Sequence, residues 1–76
     1  MIKSTDKETL KKFGEQLRRI RESQDRSLRD VSLHCNVDHS KIAKIEQGQI
    51  NVTLTTLLDL AKGLNVNPEE LLKNIR

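Results

Sequence analysis

Side chains able to make directional contacts gather between positions 38 and 47 of a 76-residue chain: His39, Ser40, Lys41, Lys44, Glu46 and Gln47. Imidazole, hydroxyl, ammonium and amide groups at this density can grip a polar ligand by several hydrogen bonds at once. They do not add up to catalysis. The sequence has no glycine-rich phosphate loop and no nucleophile beside an evident base, so no enzyme activity and no catalytic residue is expected. Cys35, His34 and His39 lack metal-ligand spacing and partners, so no metal and no cofactor is expected, and no small-molecule ligand is evident. Cys35 reads instead as a small core residue. Glu69 and Glu70 look like paired carboxylates, but they fall in the first turn of a helix, where they complement its dipole.

The elements that must position these groups are all helical. Phe13 is the only aromatic ring besides two histidines, which leaves aliphatic side chains on helices to supply nearly all the packing. A first helix opens at the capping-box pattern Thr5-Asp6-Lys7-Glu8 and carries Leu10, Phe13, Leu17 and Ile20 until about Gln24. A second starts at Ser27 as cap, buries Leu28, Val31 and Cys35, and stops at Asn36, a residue that tolerates left-handed backbone. Only Asn36 and Val37 then separate it from a third, capped by Asp38 and ended before Gly48. A fourth begins at Thr53 with Leu54, Leu57, Leu58, Ala61 and Leu64. A fifth begins at Asn67-Pro68 with Leu71, Leu72 and Ile75. Val37 with Ile42, Val52 with Leu57 and Val66 with Leu71 have the spacing of hydrophobic staples. The fold class expected is all-α, a compact five-helix unit over residues 1–76.

At about 100° per residue, Ile42 and Ile45 mark the inward side of the third helix, and His39, Ser40, Ala43, Lys44 and Gln47 share the opposite arc. A helix tied to its neighbour by a tight turn, with a projecting polar face, fits a duplex major groove about 12 Å wide. The alternative is a face that touches only water.

Four stretches carry a family resemblance without a gap from Phe13 to Leu72: Phe13-Gly14-Glu15-Gln16-Leu17-Arg18-Arg19-Ile20-Arg21, Ser27-Leu28-Arg29-Asp30-Val31, Ile42-Ala43-Lys44-Ile45-Glu46-Gln47-Gly48, and Leu57-Leu58-Asp59-Leu60-Ala61-Lys62-Gly63-Leu64-Asn65-Val66. They resemble the Xre and lambda-repressor-like helix-turn-helix family, which includes small phage repressors and restriction-modification controllers. The resemblance implies a five-helix domain whose second and third helices read double-stranded DNA, acting as a homodimer on a palindromic operator to regulate transcription. It also implies an ion pair between Arg21 and Glu46 that orients the reading helix. Three positions depart from the family pattern. Ser32 replaces a usual alanine, Asn36 a usual glycine, and Leu28 a glutamine that anchors DNA in many members. The loop Gln49-Ile50-Asn51 is less basic than is common.

Within that frame, base reading is expected from His39, Ser40, Ala43 and Lys44. Lys44 can donate to guanine O6 and N7, and the Ala43 methyl either packs on a thymine methyl or simply favours the helix. Backbone contacts are expected from Ser27, Arg29, Lys41, Gln47, Gln49 and Asn51. Residues 1–29 hold nine Lys/Arg against five Asp/Glu, so the first third is the basic part of a chain whose net charge is +3. Four or five reading side chains discriminate weakly, which favours two copies, with Leu72 and Ile75 as dimer-interface candidates; Leu72 also suits the protomer core. A single cysteine, the lack of a leader and the lack of a long apolar run point to a cytoplasmic protein without a membrane partner. With no room for a ligand-sensing domain, control is expected through the protein's own concentration. The rival class is an antitoxin-like or other protein-binding module that uses the apolar C-terminal helix.

Overall fold

Capping chemistry explains most of the helix starts in the computed structural model, which describes residues 4–73 and 75. The order is α1 (Ser4–Ser23), α2 (Leu28–Ser32), α3 (His39–Glu46), α4 (Leu54–Leu64) and α5 (Pro68–Leu71). Ser27 Oγ accepts from the Asp30 N–H at 3.0 Å, Asp38 Oδ2 from the Ser40 N–H at 3.0 Å, and Thr53 Oγ1 from the Thr56 N–H at 3.2 Å. Each bond satisfies a donor that the first helical turn leaves free. Pro68 occupies the first turn of α5, where its missing N–H costs nothing. At the start of α1 the helix already includes Ser4, so Thr5 lies inside it and the cap falls outside the described residues.

The helix ends differ more from expectation. Gly48 takes the left-handed conformation at φ +72°, as the reading of a glycine stop requires. Asn36 does not; among the described residues, Asp25 and Asn65 are the non-glycine ones with positive φ. α2 is also shorter than expected, ending at Ser32. Beyond it the chain tightens, with the His34 N–H on the Val31 carbonyl at 3.0 Å and the Cys35 N–H on the Ser32 carbonyl at 3.4 Å. These three-residue bonds replace the four-residue ladder, so residues 33–38 rather than a two-residue turn connect α2 to α3.

Phe13, Leu17, Val31, Val37, Ile42, Ile45, Leu60, Ala61, Leu64 and Leu71 form the buried core, with all five helices contributing or packing beside it. Leu28, Cys35, Val52, Leu57, Val66 and Ile75 pack half-buried around them. The buried face of α4 is rotated from the expected stripe. Leu60 is fully buried, whereas Leu54 is 71% and Leu58 45% exposed. Neighbouring elements claim only the arc from Leu57 through Leu60, Ala61 and Leu64.

Polar side chains tie the ends of the helices together. Arg26 donates to the Gly63 carbonyl at 2.6 Å and pairs with Asp30 at 3.1 Å, while Gln24 donates to the Leu64 carbonyl at 2.9 Å. The terminal carbonyls of α4 are satisfied in this way by the α1–α2 connection. Gln16 donates to the Glu70 carbonyl at 2.9 Å and accepts from Arg19 at 2.8 Å, which fixes α5 across α1.

Candidate nucleic-acid interface

α3 is anchored from three directions. Asp38 caps its start, Ile42 and Ile45 bury its inner side at 0% and 1% exposure, and α1 closes on its C-terminal end. That last approach depends on Gly14. A Cβ there would overlap the Ile45 and Glu46 carbonyl oxygens, so only glycine lets α1 lie so close.

The same end carries the ion pair. Arg21 Nε donates to Glu46 Oε2 at 2.6 Å and Arg21 Nη2 to Oε1 at 3.0 Å, a two-pronged contact between side chains only 13% and 6% exposed. The third guanidinium nitrogen donates to the Arg26 carbonyl at 2.8 Å. The hydrogen bond to Glu46 raises the Arg21 pKa above its usual value, against the opposing effect of burial. Glu46 is thereby neutralised and turned away from the outer face of α3.

Opposite these anchors Ser40, Lys41, Lys44 and Gln47 are exposed, and His39 and Ala43 are partly so. His39 Nδ1 lies 3.6 Å from Asp38 Oδ1. A shallow cleft lined by Arg29, Ser32, Leu33 and His39 opens between α2 and the start of α3, bringing Arg29 beside His39. Ser27 lies exposed at the start of α2 with its hydroxyl committed to the cap. Gln49 and Asn51 are exposed after α3, and Asn51 Oδ1 accepts from the Val52 N–H at 2.8 Å, which leaves the Asn51 NH2 as the donor end of that side chain. Leu72 and Ile75 lie elsewhere, around an apolar cleft shared with Leu10, Phe13, Val52 and Leu57. Leu72 is exposed and Ile75 half-buried.

Three positioning residues had no signal in the sequence: Arg26, Gln24 and Gln16 act on carbonyls 37, 40 and 54 positions away. Only the Arg26–Asp30 pair, four residues apart, has a spacing that could have been noticed.

Residues 12–73 match the family described as "Helix-turn-helix domain". The chain belongs to the helix-turn-helix family. Its α2 and α3 are the two helices of that unit. Over 61 residues it is 34% identical to control protein C.BamHI of Bacillus amyloliquefaciens, covering 79% of this chain and 75% of the relative. The fold superposes on the restriction-modification controller protein C.AhdI from Aeromonas hydrophila with a TM-score of 0.79 at 37% identity, over 82% of this chain and 94% of that one. It also superposes on the restriction-modification controller protein C.Esp1396I, solved as a tetramer in complex with its natural 35-base-pair operator. There the TM-score is 0.74 at 27% identity, over 86% of this chain and 96% of that one. These relatives are of the Xre, lambda-repressor-like type. Among the described residues no helix is long and apolar enough to cross a membrane.

Proposed function

We propose that this helix-turn-helix protein is a cytoplasmic transcription regulator that binds a palindromic operator in double-stranded DNA as a homodimer. The observation that carries the reading is the division of α3: core, cap and ion pair hold one side, and hydrogen-bonding or small side chains cover the other. The likeness to controller proteins supports it, including one bound to its operator as a tetramer. Lys44, His39 and Ser40 read base edges, and Ala43 allows close approach. Arg29, Lys41, Gln47, Gln49 and Asn51 position the helix through phosphates, with the N-terminus of α2 at Ser27 adding its free amides.

Two recognition helices on successive major-groove faces stand about 34 to 36 Å apart. The protomer measures 32 × 22 × 20 Å, so two copies approach that separation only when joined along the long dimension. Leu72 and Ile75 are interface residues in this reading, joined by the outer leucines of α4, Leu54 and Leu58.

Selection of bound duplexes from a random pool tests the whole reading: a symmetric site with half-sites one helical turn apart is expected. His39→Ala with Lys44→Ala should abolish preference for that site and leave the circular dichroism melt unchanged. Equal preference in the double variant would assign base reading to another face.

A further inference from the structure

The basic first third of the chain places much of its charge on one face of α1. At about 100° per residue, Lys7, Lys11, Arg18 and Arg21 fall within about 80° of helix surface around Gly14. The acids of α1, namely Asp6, Glu8, Glu15 and Glu22, lie outside that arc. Packing fixes where the stripe points, because Gly14 is where α1 touches the Ile45 and Glu46 carbonyls. One turn earlier, a Cβ added to Gly48 would stand 2.9 Å from Lys11 Cα. The stripe therefore runs past the C-terminal end of α3 and along the loop that follows it.

Arg21 and Arg18 are spent on Glu46 and Glu22 at 2.6 and 3.1 Å. Lys7 and Lys11 are exposed and enter no ion pair among the described residues. The loop beside them is the opposite case. Residues 47–58 contain no charged side chain, although this stretch includes the Gln49 and Asn51 contacts assigned to the DNA backbone.

We infer that Lys7 and Lys11 form a second phosphate clamp, supplying from α1 the positive charge that the loop after α3 lacks. The inference rests on the DNA-binding reading above and adds residues to it. With α3 in the major groove, the strand passing the loop meets the amides of Gln49 and Asn51 and, beside them, two ammonium groups. The two lysines are about 6 Å apart along the helix axis, and their flexible stems reach neighbouring phosphates. Such contacts add affinity without sequence preference.

The test uses the full chain, its selected operator and an unrelated duplex of equal length, with affinity measured across salt concentrations. Lys7→Gln with Lys11→Gln should lower the slope of log affinity against log salt by about 1.8, at about 0.9 for each lost contact. Between about 50 and 200 mM salt, wild type then loses about twelvefold more affinity than the variant. Operator preference stays unchanged. Lys12→Gln with Lys62→Gln removes the same charge from exposed positions away from the stripe and should leave the slope nearly intact. An unchanged slope in the first variant, or an equal drop in both, overturns the clamp. Wild-type protein that binds neither duplex overturns the DNA-binding reading together with it.

Discussion

Replacing Arg21 by methionine should destabilise the fold by about 3 to 5 kcal/mol, because it strands a carboxylate rather than merely deleting a contact. Both oxygens of Glu46 are held by Arg21, at 2.6 and 3.0 Å, and the glutamate side chain is only 6% exposed. Water cannot take over from the guanidinium without opening the α1–α3 contact. The Arg26 carbonyl also loses its partner at 2.8 Å, adding about 1 kcal/mol. A chain of this size has a total stability of about 4 to 11 kcal/mol, so the substitution removes a large share of it. The melting temperature should fall by about 12 to 40 °C. Arg21→Met combined with Glu46→Leu removes both charges and should return to within about 1.5 kcal/mol of wild type, since replacing a whole buried pair by apolar groups is often neutral. Urea denaturation followed by circular dichroism measures all four corners of this cycle. A single-variant loss below about 1 kcal/mol, or a double variant as unstable as the single, would refute the argument from a stranded charge.

Two further perturbations test the packing and the assembly. Gly14→Ala should lower the urea midpoint by an amount equivalent to about 1 to 3 kcal/mol, because the new methyl overlaps the Ile45 and Glu46 carbonyls. Alanine's helix preference over glycine, about 1 kcal/mol, pulls the other way, and a raised midpoint would show that α1 can retreat freely. Leu54→Glu with Leu58→Glu places charge on exposed leucines, so the thermal melt of the protomer should stay near wild type. Sedimentation should shift from dimer to monomer, whereas a persisting dimer would remove the outer face of α4 from the interface.

Local chemistry made much of this protein legible before its structure. The starts of α2, α3 and α4 follow from Ser27, Asp38 and Thr53 because a cap bonds an N–H two or three residues away. Gly48 and the inward pair Ile42 and Ile45 are equally local, one a matter of backbone freedom and the other of helical period. The Arg21–Glu46 contact is implied only by the family resemblance, since 25 residues of sequence separation carry no periodic signal. Tertiary structure alone decided the early end of α2, where the route from Ser32 to Asp38 answers to packing around Val37 and Cys35. It also decided which leucines of α4 are covered, because a leucine's burial depends on what arrives opposite it. The placement of Lys11 beside the uncharged loop has the same origin. Charge can be counted along a sequence, but its direction is set only when Gly14 lets one helix settle against the end of another.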